Sequence, residues 1–203
     1  MIYAESVRYA VLGQLASGGM ADLFAAKDPE GRDVVIKRMK EHFLDEHALL
    51  ELFEREGELA RRLRHPNIVQ VIDAGRWSID GVGELPYLVM ERLHGQDLRQ
   101  VLDRETSLSL RETSRIGRAV ADALAYAHRH CVHRDVSPHN IFITDDGDVK
   151  LLDFGIAKTE RVATATGLAR GKVGYMAPEQ IEGLDVDART DTFGLGVVLW
   201  ECL

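Results

Sequence analysis

The largely apolar runs YAVLGQLA (9–16) and DLFAAKD (22–28) flank the pair Gly18–Gly19 and predict two strands. A PEGR turn then leads into a third strand, DVVIKRM (33–39). HPNIVQVIDAG (65–75) and LPYLVMERL (85–93) predict two more, with RWSIDGVGE (76–84) as the hairpin loop between them. A helix is expected from about Asp45 to Arg64. Its apolar stripe runs Leu49, Phe53, Ala60 and Leu63, with Glu56 in the middle. After Gly95 the pattern turns helical. Ser109 and Glu112 fit a capping box, and Ile116, Val120, Leu124 and Ala127 follow at helical spacing. IFIT (141–144) and VKLLDF (149–154) flank the turn DDGD, and a polar segment covers 158–174. TDTFGLGVVLWECL (190–203) is a helix apolar on all sides and without a stop signal. Such a helix belongs inside a larger body. The chain therefore reads as a piece of something longer, with Phe193, Val197, Val198 and Trp200 turned partly to water.

The 203 residues, 45% apolar and 29% charged, are ordinary for a folded domain. A net charge of −8 without a basic run sets nucleic-acid binding aside. Two cysteines, Cys131 and Cys202, are too few for a disulfide framework and fit reduced thiols in the cytoplasm. No leader peptide and no apolar stretch long enough to span a membrane stand out.

Two charges sit where the pattern wants apolar side chains. Glu56 interrupts a buried stripe, and Lys37 closes the apolar run VVIK. A pair between them would satisfy both. Alternatively, Glu56 reaches solvent and Lys37 merely ends its strand. His128, His130, Cys131 and His133 have some look of a metal site. His128 and His130 stand two apart near a helix end, so they leave it on different faces, and a core role for His133 is the alternative.

VVIK, REGELA, HPNIV, YLVME, HRD with Asn140, DFG and APE occur in the order and at the approximate spacing of protein kinases. From Tyr9 to Leu203 the chain resembles that family, and GGMADLF and MAPEQ are similar to bacterial Ser/Thr kinases of the eukaryotic-like type. The resemblance implies an α+β, two-lobed kinase fold. Residues 1–8 would be an extension, 9–93 a small antiparallel-sheet lobe with one helix and the hinge, and 94–203 a mostly helical, incomplete second lobe. It implies ATP and Mg²⁺ in a cleft.

The roles follow residue by residue from the same resemblance. Lys37 holds the α- and β-phosphates and Glu56 holds Lys37. Asp135 orients the substrate hydroxyl or accepts its proton, while Asp153 and Asn140 are the magnesium ligands. Oxygen ligands suit that hard cation. Leu23 and Val35 lie above the adenine and Phe142 below it. Met90 is the gatekeeper, and Glu91 to Leu93 the hinge. The glycine-rich loop keeps only Gly18, with Ala16 and Ala21 where the family has glycine, which weakens close approach to phosphate. His133 is a core residue, Arg134 receives an activation-loop phosphate, Asp191 braces the catalytic loop, and Glu179 pairs with an arginine that lies beyond this chain in the family. Of the loop threonines Thr159, Thr164 and Thr166, the last two are the expected phosphosites, reached between two copies in a homodimer.

The chain departs from the family at two coupled positions. Ser137 stands where Ser/Thr kinases have a lysine that touches the γ-phosphate, and Lys172 stands where they have a threonine. The paired change suggests an exchange, with Lys172 returning the ammonium and Ser137 supplying the hydroxyl. A solvated loop lysine is the alternative. A charge-assisted hydrogen bond is worth about 1.5–3 kcal/mol, roughly 10–150-fold in rate, so the serine slows such an enzyme without silencing it. Protein substrates are implied by APE and the long activation segment, against a small-molecule kinase. A nucleotide-binding pseudokinase or scaffold is the rival reading.

Overall fold

The computed structural model describes residues 8–79, 83–154 and 173–203. Two compact units divide the chain, Met1–Leu63 with Gln70–Arg92 and Arg64–Val69 with Leu93–Leu203. The short segment 64–69 thus belongs with the second unit, although the sequence places it amid the strands of the first.

In the first unit, β1 (Ala10–Ser17), β2 (Ala21–Lys27), β3 (Asp33–Met39), β4 (Val71–Ile79) and β5 (Gly83–Glu91) form an antiparallel sheet in the order β1-β2-β3-β5-β4. Alternation along β3 sends its residues to two cores. Val34 and Ile36 join Ala26, Trp77, Tyr87 and Val89 on one face. Met39 joins Phe43, Leu50, Phe53, Leu85 and Leu88 on the other, beneath α1 (His47–Ala60). Gly57 is what lets α1 lie close: a methyl there would stand 2.2 Å from Leu88 Cδ2.

The structure corrects the expected loop at 76–84. β4 continues to Ile79 and β5 begins at Gly83. Trp77 is buried edge-on against Tyr87, with ring centroids 6.4 Å apart, and Arg76 on the other face meets Glu54 of α1 at 2.7 Å. Alternation across the two cores overrides the local turn composition. The expected strand from His65 likewise shrinks: 65–70 is irregular apart from a bridge between Ile68 and Leu151.

In the second unit, β6 (Gly95–Asp97), β7 (Ile141–Thr144) and β8 (Val149–Leu151) form a small antiparallel sheet. Gly95 at φ 142° is obligatory, since a Cβ would fall 2.1 Å from the Ile143 carbonyl oxygen. α2 (Leu98–Arg104) is capped by Asp97, and α3 (Leu110–Ala127) carries the expected capping box between Ser109 and Glu112. α4 (Pro178–Ile181) and α5 (Ala188–Cys202) follow. Gly117 of α3 faces Leu199 of α5, and the Leu108 amide binds the Cys202 carbonyl at 2.7 Å.

α5 is less uniform than its sequence. Asp191, Leu195, Val198 and Cys202 recur at helical spacing and are buried, so Val198 does not face water as expected. Phe193 and Trp200 do, at 44% and 78% exposure.

Candidate active site

In the first unit the strand register sets Lys37 between Leu23 of β2 and Leu88 of β5, on the face that α1 covers. Glu56 is buried on α1, and its Oε1 lies 3.9 Å from Lys37 Nζ. The two misfit charges of the sequence are thus neighbours. At that distance the contact is an ion pair without a tight direct hydrogen bond. Val35 and Met90 are cross-strand partners, and the Glu91 carboxylate accepts from the Gln70 amide at 2.8 Å. The turn before β2 closes through Gly18 N–H to the Ala21 carbonyl at 2.9 Å. Ala16 is exposed, whereas Ala21 packs into the helix-side core beside Met39.

The second unit holds its polar residues far more tightly. Asp135 and Asn140 are both buried. The Asn140 amide nitrogen donates to the Asp135 carbonyl at 2.8 Å and to its carboxylate at 2.5 Å. That uses both amide hydrogens and leaves Asn140 Oδ1 without a hydrogen bond among the described residues. The Asn140 carbonyl accepts from the Leu152 amide at 2.8 Å, and the Leu152 carbonyl accepts from His133 Nε2 at 2.8 Å. The backbone N–H and C=O of Leu152, next to Asp153, therefore clip both ends of the loop 133–140. His133 Nδ1 accepts from the Asp135 amide at 3.2 Å, which fixes the ring as the Nε2–H tautomer. Its ring lies 4.7 Å from that of Phe154.

Arg134 (φ 66°) and Asp153 (φ 39°) are the non-glycine residues with left-handed backbone among those described. Such conformations persist only where surroundings impose them. For Arg134 the surroundings are plain. Asp191, fully buried at the start of α5, accepts from the His133 and Arg134 amides at 2.7 Å each and from His128 Nε2 at 2.7 Å. Gln180 of α4 donates to the Arg134 carbonyl at 2.9 Å. Gly194 completes the seat: a Cβ there would stand 3.1 Å from the Val136 carbonyl oxygen.

Ser137 is 1% exposed, and its hydroxyl has no hydrogen-bond partner among the described residues. Phe142 is half-buried on β7, and Leu93 half-buried at the start of the second unit's long segment. Glu179 does find a partner: Thr190 Oγ1 donates to it at 2.6 Å and draws its carboxyl below the usual range. Lys172, Thr159, Thr164 and Thr166 lie outside the described residues.

The histidine–cysteine cluster disperses. His128 serves Asp191, His133 is core, and the described residues contain no group of His, Cys, Asp or Glu able to hold a metal ion. Burial pushes the Cys131 thiol up to about 11.

Sequence reasoning missed Gln180 and His128, which act on Arg134 and Asp191 from other elements. It also missed the trio Arg99, Tyr175 and Glu201. There the Glu201 carboxylate takes Arg99 at 2.5 Å and the Tyr175 hydroxyl at 2.5 Å. Burial first, then Glu201, pushes that phenol up to about 12. No local spacing announces contacts made across 26 to 102 residues.

A model of the protein kinase domain matches residues 9–203. A probable serine/threonine-protein kinase of Corynebacterium efficiens is 38% identical, over 99% of this chain and 31% of that protein. Tyrosine-protein kinase MasK of Myxococcus xanthus is 42% identical over 96% of this chain and 32% of its own length. Serine/threonine-protein kinase PknA of Mycobacterium tuberculosis is 41% identical over 98% and 47%. The chain thus spans about a third to a half of the length of these curated relatives. The crystal structure of the M. tuberculosis PknI kinase domain superposes with a TM-score of 0.78 at 30% identity, covering 100% of this chain and 75% of that one.

Proposed function

The chain belongs to the protein kinase family, and we propose that it transfers the γ-phosphate of ATP to serine and threonine hydroxyls of proteins. The observation that carries this reading is the Asp135–Asn140 arrangement. Asn140 spends its amide hydrogens on Asp135 and keeps Oδ1, the one side-chain atom able to bind a cation. An Asp–Asn pair of oxygen donors fits magnesium, which keeps several waters and takes few protein ligands alongside phosphates. Asp153 and Asn140 are the ligands assigned to it. When bound, the ion neutralises charge on the transferring phosphoryl group.

The chain's own residues do the rest. Asp135, fixed by Asn140, receives or orients the hydroxyl of the substrate. Lys37 holds the α- and β-phosphates, with Glu56 limiting where its ammonium can go. Gly18 supplies close backbone approach to phosphate, with Ala16 and Ala21 the less permissive positions beside it. Leu23, Val35, Met90, Leu93 and Phe142 take the adenine, and the Glu91 backbone reads its edge. Lys172 brings an ammonium to the γ-phosphate in place of the family's lysine. Ser137 is its hydroxyl partner, a role to which its unspent buried Oγ is suited. Thr164 and Thr166 are phosphorylated between two copies, and Arg134 receives the phosphate. Unpaired Cys131 and Cys202 suit the reducing cytoplasm.

Intact-mass measurement after incubation with Mg·ATP tests the reading, beside Asp153→Asn. The expected result is added phosphate in the wild type alone, and phosphoserine and phosphothreonine on hydrolysis. Phosphotyrosine instead would align the chain with MasK. ATP binding without added mass would establish the pseudokinase. Undiminished transfer by Lys172→Ala would remove the proposed exchange while leaving the activity standing.

A further inference from the structure

The polar face of α3 carries Arg111, Arg115 and Arg118 at positions i, i+4 and i+7, a spacing that puts them on one stripe. They line a cavity of about 460 Å³ together with Ser114, Ala119, Asp122 and Asn67. All these residues lie in the second unit. Some arginines meet carboxylates closely, Arg32 with Asp28 at 2.5 Å, Arg76 with Glu54 at 2.7 Å and Arg189 with Asp187 at 2.7 Å, whereas Arg38–Glu41 at 3.6 Å and Arg61–Asp73 at 4.0 Å are looser. The α3 stripe belongs with the looser group. Arg118 reaches Asp122 only at 3.9 Å, with both side chains well exposed. Arg115 gives one Nη1–H to the Gly147 carbonyl. Arg111 has no hydrogen bond or ion pair among the described residues.

Three guanidinium groups and the one carboxylate of Asp122 line the hollow itself, on a chain of net charge −8. The nearby Glu112 is committed to Ser109 through the capping box. Asn67 gives one of its two amide N–H groups to the Val149 carbonyl at 2.8 Å. Ser114 is exposed and offers a hydroxyl.

The geometry points to a docking site for a phosphoryl group carried on a serine or threonine of another protein segment. Arginine forks bind phosphate oxygens in pairs, and a group of about two negative charges matches several guanidiniums in one hollow better than a single carboxylate does. Nucleic acid fits poorly, because the hollow has no aromatic platform and the patch is short. A membrane fits poorly because no large apolar side chain lines the hollow. The carboxylates that oppose the ligand are Asp122 on the helix and Asp146 and Asp148, which flank Gly147 in the turn after β7. The preference for phosphoryl over other anions rests on the proposed activity, which makes such groups. The test reads binding alone and so stands apart from transfer.

The experiment is fluorescence anisotropy of the full chain with a fluorescein-labelled phosphothreonine peptide and its unphosphorylated twin, without nucleotide. Saturable binding of the phosphopeptide, at least tenfold tighter than the twin, is expected. Arg111→Gln with Arg118→Gln should weaken it tenfold or more, Asp146→Asn should tighten it, and Arg189→Gln on α5 should leave it unchanged. Both α3 arginines are exposed, so the double variant should fold. As an independent reading on the wild type, amide shifts during titration should centre on residues 111–119. Equal binding of the twin, indifference to the double variant, loss of binding in Arg189→Gln or shifts confined elsewhere would each overturn the proposal. Inorganic phosphate binding as tightly as the peptide would replace it with a free-anion site.

Discussion

The two units hold their charged residues in opposite ways. In the first, Lys37 and Glu56 meet across the sheet–helix core at 3.9 Å. In the second, Asp191 alone takes hydrogen bonds from His133, Arg134 and His128, all at 2.7 Å. A buried ion pair at long range gains little against the desolvation it costs. A carboxylate holding two amides and an imidazole cannot move without orphaning three donors. One unit thus holds a long ion pair, and the other a fixed frame that imposes a left-handed backbone on Arg134.

Replacing Asp191 should break the frame most. Asp191→Ala removes the acceptor of three donors at once, and a loss of about 3 kcal/mol or more is expected in urea unfolding. Asp191→Asn, which keeps one oxygen acceptor, should lose less. Glu56→Gln attacks the long ion pair. Its cost in unfolding should be only about 1 kcal/mol, because the contact is long and Lys37 can rehydrate. Phosphoryl transfer should nonetheless fall at least tenfold. A stability loss equal to that of Asp191→Ala would erase the contrast between the units.

Gln180→Ala releases one end of the Arg134 peptide. About 1 kcal/mol or less is expected, with faster hydrogen exchange at 133–136 as the direct readout. The smallest effect concerns Glu179. Thr190 holds its carboxyl below the usual range, so the contribution is complete above about pH 4.5 and is lost as the pH falls through the depressed value. Stability curves of the wild type and Thr190→Val should therefore differ at pH 6 and converge on acidification. A constant gap would mean that Thr190 acts by packing alone.

Legibility in the sequence followed the range of the interactions. The capping box of Ser109 and Glu112 spans three residues, so its hydrogen bonds could be read before any fold was known. Glu56 was visible as a charge in an apolar stripe, and burial required a cation, though not how close it would come. The loop 76–84 failed because its glycines and charges mimic a turn, while Trp77 was claimed by a core assembled from four other strands' worth of contacts. Val198 failed because α5 is apolar all round, and which side is covered is decided by segments distant in the chain, such as α3 at Leu199 and Val136 at Gly194.

Order and spacing of motifs by themselves pointed to the family, and the protein kinase domain match over residues 9–203 bears that out. They did so because each motif is a short segment whose backbone needs are local. Tertiary structure alone decided that Gln180 and His128 brace the loop 133–140, that Thr190 answers Glu179, and that three arginines of α3 share one hollow with Asn67. Those contacts join segments far apart in the chain, and a hydrogen bond depends on distance and angle in space, which residue order does not encode.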